Sequence, residues 1–189
     1  MIFEPTALPG AVIVRPQPRH DERGFFARVW CREEFAREGM AIDIHQASIS
    51  HNPRAGTLRG LHFSWPPAAE GKLVRCERGR VHDVALDLRP RSPAFMRHVA
   101  VRLDAQEGTG VYLPPGIAHG FQTLDDDTTV LYLMSAPYRP DLAAGVRFDD
   151  PSFDISWPLA VTSIAERDRT YPDFDRERHA SRYGAADVR

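Results

Sequence analysis

The segment Arg80 to Leu88 alternates without interruption: His82, Val84, Leu86 and Leu88 fall on one face, and Val81, Asp83, Ala85 and Asp87 on the other. A period of two fits an extended strand and is incompatible with the 3.6-residue period of an amphipathic helix. The pattern predicts a strand carrying two carboxylates on one face. Similar short stretches predict strands at Ala11–Arg15, Ile42–Ser50, Thr57–Phe63, Lys72–Glu77, His98–Leu103, Gly110–Leu113 and Thr128–Ser135. Turn chemistry separates them, with Asn52-Pro53 before Gly56, Pro66-Pro67 after Trp65, Arg78-Gly79 and Asp125-Asp126-Asp127. The 13 glycines and 16 prolines also favour turns over long helices. The expected fold is therefore mostly β, a barrel or sandwich with a few short helices. One helix is expected at Arg32–Glu38, with Phe35 inward and Gly39 as its stop, and a second helical stretch near Ser163.

A chain of 189 residues with 42% apolar content suits a single core, so residues 1–172 are expected to form one domain. Residues 173–189 are rich in charge and poor in large apolar side chains, which predicts a surface or partly disordered tail. With 24 basic and 26 acidic side chains, the net charge of −2 offers no footprint for nucleic acid or an anionic membrane. No run approaches the roughly 18 apolar residues of a membrane helix. The N-terminus lacks the basic-then-apolar pattern of a signal peptide, so the expected location is cytoplasmic. Cys31 and Cys76 form no C-x-x-C pair and read as reduced thiols.

Three residues stand out chemically. Strand alternation through Gly56–Phe63 puts Thr57, Arg59, Leu61 and Phe63 on one face and Leu58, Gly60 and His62 on the other. His62 thus shares its face with small or apolar neighbours, and that segment alone favours a structural hydrogen-bonder over a reactive group. Lys72 opens a strand and reads either as a residue of the barrel mouth or as a strand-end lysine with its charge in water. Tyr132 is a core aromatic or, if its hydroxyl faces the cavity, a proton donor.

The stretch from Gly108 to His119 reads glycine, five residues, then P-x-G-x-x-H. It resembles the second signature of the cupin superfamily, which implies a jelly-roll β-barrel. In metal-binding cupins that histidine is a ligand, alongside two histidines and a glutamate of a first signature. Here that first signature fails, because the glutamate position counted back from Gly79 is Lys72 and no H-x-H pair lies upstream. A cationic lysine repels a divalent metal, so neither a metal nor another cofactor is expected. A barrel mouth holding His62, Lys72, His119 and Arg59 instead suits proton abstraction beside a carbonyl. His62 would be the base, Lys72 the enolate stabiliser and Tyr132 the acid on the opposite face.

From about Phe3 to Phe174 the chain is similar to the dTDP-4-dehydrorhamnose 3,5-epimerase family of cupin-fold nucleotide-sugar epimerases. The resemblance runs through Asp21-Glu22-Arg23-Gly24-Phe25-Phe26, Leu58-Arg59-Gly60-Leu61-His62, Lys72-Leu73-Val74-Arg75 and Asp83–Arg89. It continues through Pro114–Phe121, Tyr132 with Tyr138, Asp149-Asp150-Pro151 and Ile155-Ser156-Trp157-Pro158. It implies inversion at C3 and/or C5 of a nucleotide-linked, dTDP-type 4-keto-6-deoxyhexose, without a cofactor. It also implies that Asp168 orients His62 and that Arg59, His119, Tyr138, Gln46 and Arg167 bind substrate. Arg23 and Phe26 are implied to reach the site of a neighbouring subunit in a strand-exchanged homodimer.

The chain departs from the family pattern at Arg28, where a glutamate is usual, at Ala143 for another glutamate, and at Arg167 for a lysine. His62-Phe63-Ser64 stands for His-Tyr-Gln, and Gln46-Ala47-Ser48 for Gln-Asp-Asn. These departures fall on ligand-holding positions and spare the proton-transfer set. Open alternatives are therefore epimerisation at C3 alone, a different nucleotide sugar, a non-catalytic binding module and a metal-dependent cupin isomerase.

Overall fold

The computed structural model describes residues 1–40 and 42–186. Its elements begin with β1 (Ile2–Pro5), β2 (Val12–Arg15), β3 (Arg19–Asp21), β4 (Gly24–Phe26), α1 (Arg32–Arg37) and β5 (Gln46–Asn52). The central strands are β6 (Thr57–Ser64), β7 (Lys72–Arg78), β8 (Arg80–Asp87), β9 (His98–Asp104), β10 (Gly110–Leu113), β11 (Ile117–Thr123) and β12 (Thr128–Met134). The chain closes with β13 (Ala143–Gly145), β14 (Ser163–Ile164), α2 (Glu166–Arg169) and α3 (Arg176–Ala186).

Two sheets form a sandwich. One has the order β1-β2-β10-β7-β12-β5 and the other β13-β6-β11-β8-β9, with β14 added beside β6. The ladders are antiparallel apart from the parallel pairing of β14 with β6. The mostly β jelly-roll expectation is met.

Side chains alternate between layers as the sequence pattern requires. Val81 and Ala85 of β8 join Val74, Val111, Phe121 and Val130 in the core between the sheets. Val84, Leu86 and Leu88 point the other way, into a second core beneath Phe153, Trp157 and Phe174. Phe35 of α1 covers the outer face of the first sheet with Tyr112, Leu73 and Val14. Burying each such side chain contributes about 1.5–3 kcal/mol, which holds the sheets in the register that shapes the cavity between them.

Several expectations are corrected. The strand expected from Ile42 starts only at Gln46, where pairing with Met134 of β12 begins, because Ile42 is spent on the α1 core. The stretch expected to turn helical near Ser163 first pairs Ser163–Ile164 with Thr57–Leu58, and α2 follows. β11 gave no alternation of its own because all seven residues are buried, covered on both faces.

The charged segment after Asp173, expected as a surface or partly disordered tail, is mostly exposed over its described part. It forms α3, on which His179 is buried and hydrogen bonds to the Leu88 carbonyl at 2.7 Å. The Arg182 guanidinium lies 4.3 Å from the Trp65 ring centre, and Phe174 closes on His179 at 5.1 Å. A few aromatic contacts and one histidine anchor a helix whose composition reads as solvated. Residues 187–189 of that expectation lie outside the described residues.

Candidate active site

A cavity of about 310 Å³ opens between the sheets, at the lower end of the size range of small-molecule sites. β6 and β11 supply His62, Arg59 and His119 from one sheet, and β7 and β12 supply Lys72 and Tyr132 from the other. Tyr138 and Arg167 stand at its rim. Seven residues singled out from the sequence therefore meet around one space.

Alternation had placed Arg59 and His62 on opposite faces of β6, yet both line the cavity. The reason is a β-bulge. His62 pairs with His119 and Arg59 with Phe121, so the ladder holds one extra residue on β6 and the face switches. Gly60 sits in this bulge at φ +111°, and a Cβ there would lie 2.5 Å from the Gly120 Cα and 2.6 Å from the His119 carbonyl oxygen. Only glycine lets the two strands approach this closely.

The bulge also presents two hydrogen-bond donors to Asp168. Its Oδ2 accepts the Gly60 N–H at 3.1 Å and its Oδ1 lies 2.7 Å from His62 Nε2. Burial alone would raise the Asp168 pKa, but the His62 hydrogen bond and charge, the Gly60 N–H and Arg167 together outweigh it and hold it lowered. An ionised Asp168 accepts Nε2–H, which leaves Nδ1 of the neutral imidazole as the proton acceptor. The His62 side chain is 33% exposed while Asp168 is 3% exposed, so the imidazole is reachable and its partner is sealed. Arg167 Nη2 lies 3.3 Å from His62 Nε2 at the rim.

Tyr132 and Lys72 face His62 from the other sheet. Burial, assisted by the nearby Asp83 charge and opposed by Arg59, pushes the Tyr132 phenol up. It remains a neutral O–H donor at ordinary pH. His119 packs edge-on against Tyr132 at 5.9 Å and pairs with Asp83 at 2.7 Å, both side chains being buried. Lys72 is buried rather than a strand-end lysine in water, and its Nζ lies 3.0 Å from Glu70 Oε1. Arg59 is held by the buried Asn52, whose Oδ1 accepts its Nε–H at 2.8 Å.

Sequence reasoning missed Glu70, Asn52 and the pairing of Asp83 with His119. Asp83 lies on the inward face of β8, so strand parity carried a signal for it, whereas Glu70 precedes β7 in a loop and carried none. Gln46 does not line the cavity; its Oε1 accepts the Tyr138 N–H at 2.7 Å and fixes that loop from behind. Arg23 and Phe26 are not brought to this cavity either. They lie on the exposed β3–β4 hairpin, where Arg23 pairs with Asp21 at 2.6 Å and Phe26 is 78% exposed. Arg28 pairs with Glu34 at 2.8 Å, away from the cavity, while Ala143 lines it.

The sequence model of the dTDP-4-dehydrorhamnose 3,5-epimerase family matches residues 5–176. A dTDP-4-dehydrorhamnose 3,5-epimerase of Sinorhizobium fredii is 38% identical over 176 residues, covering 92% of this chain and 90% of that protein. The solved structure of an epimerase of Mycobacterium tuberculosis superposes with a TM-score of 0.91 at 35% identity, covering 100% of this chain and 97% of that one. A 3′-monoepimerase of Streptomyces bikiniensis, solved with dTDP-quinovose, superposes with a TM-score of 0.84 at 33% identity, covering 96% of this chain and 90% of that one. Among the described residues no helix is long and apolar enough to cross a membrane.

Proposed function

The chain belongs to the dTDP-4-dehydrorhamnose 3,5-epimerase family, and from that premise we propose that His62, Lys72 and Tyr132 carry out the epimerisation of a dTDP-linked 4-keto-6-deoxyhexose. The enzyme is a nucleotide-sugar epimerase, and the reaction inverts the carbons flanking a C4 ketone. His62 Nδ1 takes the proton from C3 or C5, and the C–H electron pair moves into an enolate whose oxygen sits on C4. The Lys72 ammonium stabilises that oxygen. The Tyr132 hydroxyl then delivers a proton to the opposite face of the same carbon. The resulting phenolate recovers a proton and imidazolium loses one, which restores both groups.

The observation that carries this reading is the split of the two proton-transfer groups between facing sheets, His62 on β6 and Tyr132 on β12, across one cavity. Base and acid on opposite walls produce inversion, whereas one group alone would return the proton to the face it left. Arg59, His119 and Tyr138 hold the sugar and diphosphate, with Arg167 at the mouth. Arg23 and Phe26 serve the cavity of a neighbouring subunit in a homodimer, which accounts for their exposure on a hairpin far from their own cavity.

Likeness to a 3′-monoepimerase favours a second reading, inversion at C3 alone. Both are tested by incubating the protein with dTDP-4-keto-6-deoxyglucose in deuterated water. Solvent deuterium at C3 and C5 of the product supports the double inversion, and label at C3 alone the second reading. No label at either carbon contradicts both.

A further inference from the structure

Glu70 belongs to none of the roles above, yet its carboxylate lies inside the cavity beside the ammonium that the reaction uses. We propose that Glu70 is a positioning residue that fixes the Lys72 ammonium at the place where the C4 oxygen arrives. The inference rests on the epimerase reading.

The backbone of Lys72 is already fixed. It opens β7 between two neighbours, paired with Leu113 of β10 on one side and Met134 of β12 on the other. Its side chain is another matter, because a lysine stem has four rotatable bonds and the cavity leaves it room to move. Glu70 stands two residues earlier, in the loop that leads into β7, and lines the same cavity. Between them Gly71 is clamped to the end of β12, its N–H donating to Ser135 Oγ at 2.7 Å and its carbonyl accepting the Ser135 N–H at 3.0 Å. This clamp sets where the Glu70 carboxylate can be. From there it holds Nζ at 3.0 Å, with the two side chains only 10% and 11% exposed.

An ion pair this enclosed has few other arrangements to adopt. The ammonium has three donors and the carboxylate uses one of them, so the others remain available to the ketone and, later, the enolate oxygen. Glu70 therefore acts on geometry. An acceptor of the same reach can replace it, and it has no function once Lys72 is gone. These two consequences separate a positioning role from a general structural one.

The test is steady-state turnover of dTDP-4-keto-6-deoxyglucose by the full-length protein and its variants, with thermal melting of each. Glu70→Ala is expected to lower kcat about 10- to 100-fold, the scale of a misplaced catalytic group, with KM changed less than about three-fold. Glu70→Leu, which keeps the volume, should behave alike and serves if the alanine variant fails to fold. Glu70→Gln should restore kcat to within about three-fold of wild type. In a Lys72→Met background, Glu70→Ala should cost nothing further. The inference is overturned if Glu70→Ala and Glu70→Leu turn over like wild type. It is equally overturned if Glu70→Gln is as poor as Glu70→Ala, or if the same loss recurs without Lys72. Absence of turnover by the wild-type protein is a different result, since it removes the epimerase reading itself and the inference with it.

Discussion

His62 lies directly across the β6–β11 ladder from His119, and each imidazole has its own aspartate at 2.7 Å, Asp168 for the first and Asp83 for the second. The two pairs differ in access. The His62 side chain is 33% exposed and that of His119 is 4% exposed. Proton transfer to and from a substrate needs a reachable group, which supports the proposed role of His62 as base, while the buried His119 packs beside Tyr132.

Asp168→Asn tests the tautomer. An amide can donate to Nε2, which moves the imidazole proton to Nδ1 and removes the free lone pair from the cavity. The expected result is a fall in kcat of roughly 10²–10⁴-fold, the usual worth of a general base, with little change in KM. Steady-state kinetics alongside a melting curve checks this.

Tyr132→Phe separates abstraction from inversion. His62 can still remove the proton and return one to the same face. Solvent deuterium should therefore enter unreacted substrate, while formation of the inverted product falls roughly 10²-fold or more. Proton NMR of the sugar follows both events in one sample.

Gly60→Ala addresses the bulge. The added methyl meets the β11 backbone at 2.5–2.6 Å in a conformation with φ +111°. Backbone on both sides cannot yield without moving His62 and His119, so a destabilisation of about 2–4 kcal/mol is expected. Chemical denaturation measures it.

Stability should rise with pH through the histidine range. Burial pushes His179 below the ordinary histidine value, opposed in part by the Leu88 carbonyl and helped by Arg182. Burial does the same to His82, whose Nε2 has no partner among the described residues. Both bind a proton more readily unfolded than folded. Their neutral forms cost nothing above about pH 6.5, and stability is lost as pH falls below that value towards the lowered folded pKa. Melting temperature should drop between about pH 7 and pH 5. His179→Phe should melt lower overall, having lost its bond to Leu88, but with a shallower dependence on pH.

Local pattern made much of this legible in the sequence. Short apolar stretches between turns, such as β7, β8 and β12, announce themselves, and their parity points Asp83, Lys72 and Tyr132 inward. Parity misleads where a bulge intervenes, as between Arg59 and His62, because one extra residue reverses the face and leaves no compositional mark except Gly60. β11 is buried throughout and β13 is Ala-Ala-Gly, so neither alternates. α3 was unreadable for a different reason, since its attachment rests on His179 and on rings elsewhere in the chain. The family resemblance supplied Asp168, which carries no local signal on a four-residue helix and gains its meaning only from a strand distant in sequence.

Proton removal by His62 is the step on which the proposed epimerisation rests. The direct measurement is solvent deuterium exchange at C3 and C5 of dTDP-4-keto-6-deoxyglucose by His62→Ala, with dTDP binding followed by calorimetry. Exchange at both carbons should fall to background while dTDP binds as it does to wild type. Exchange at the wild-type rate in the variant would contradict the account.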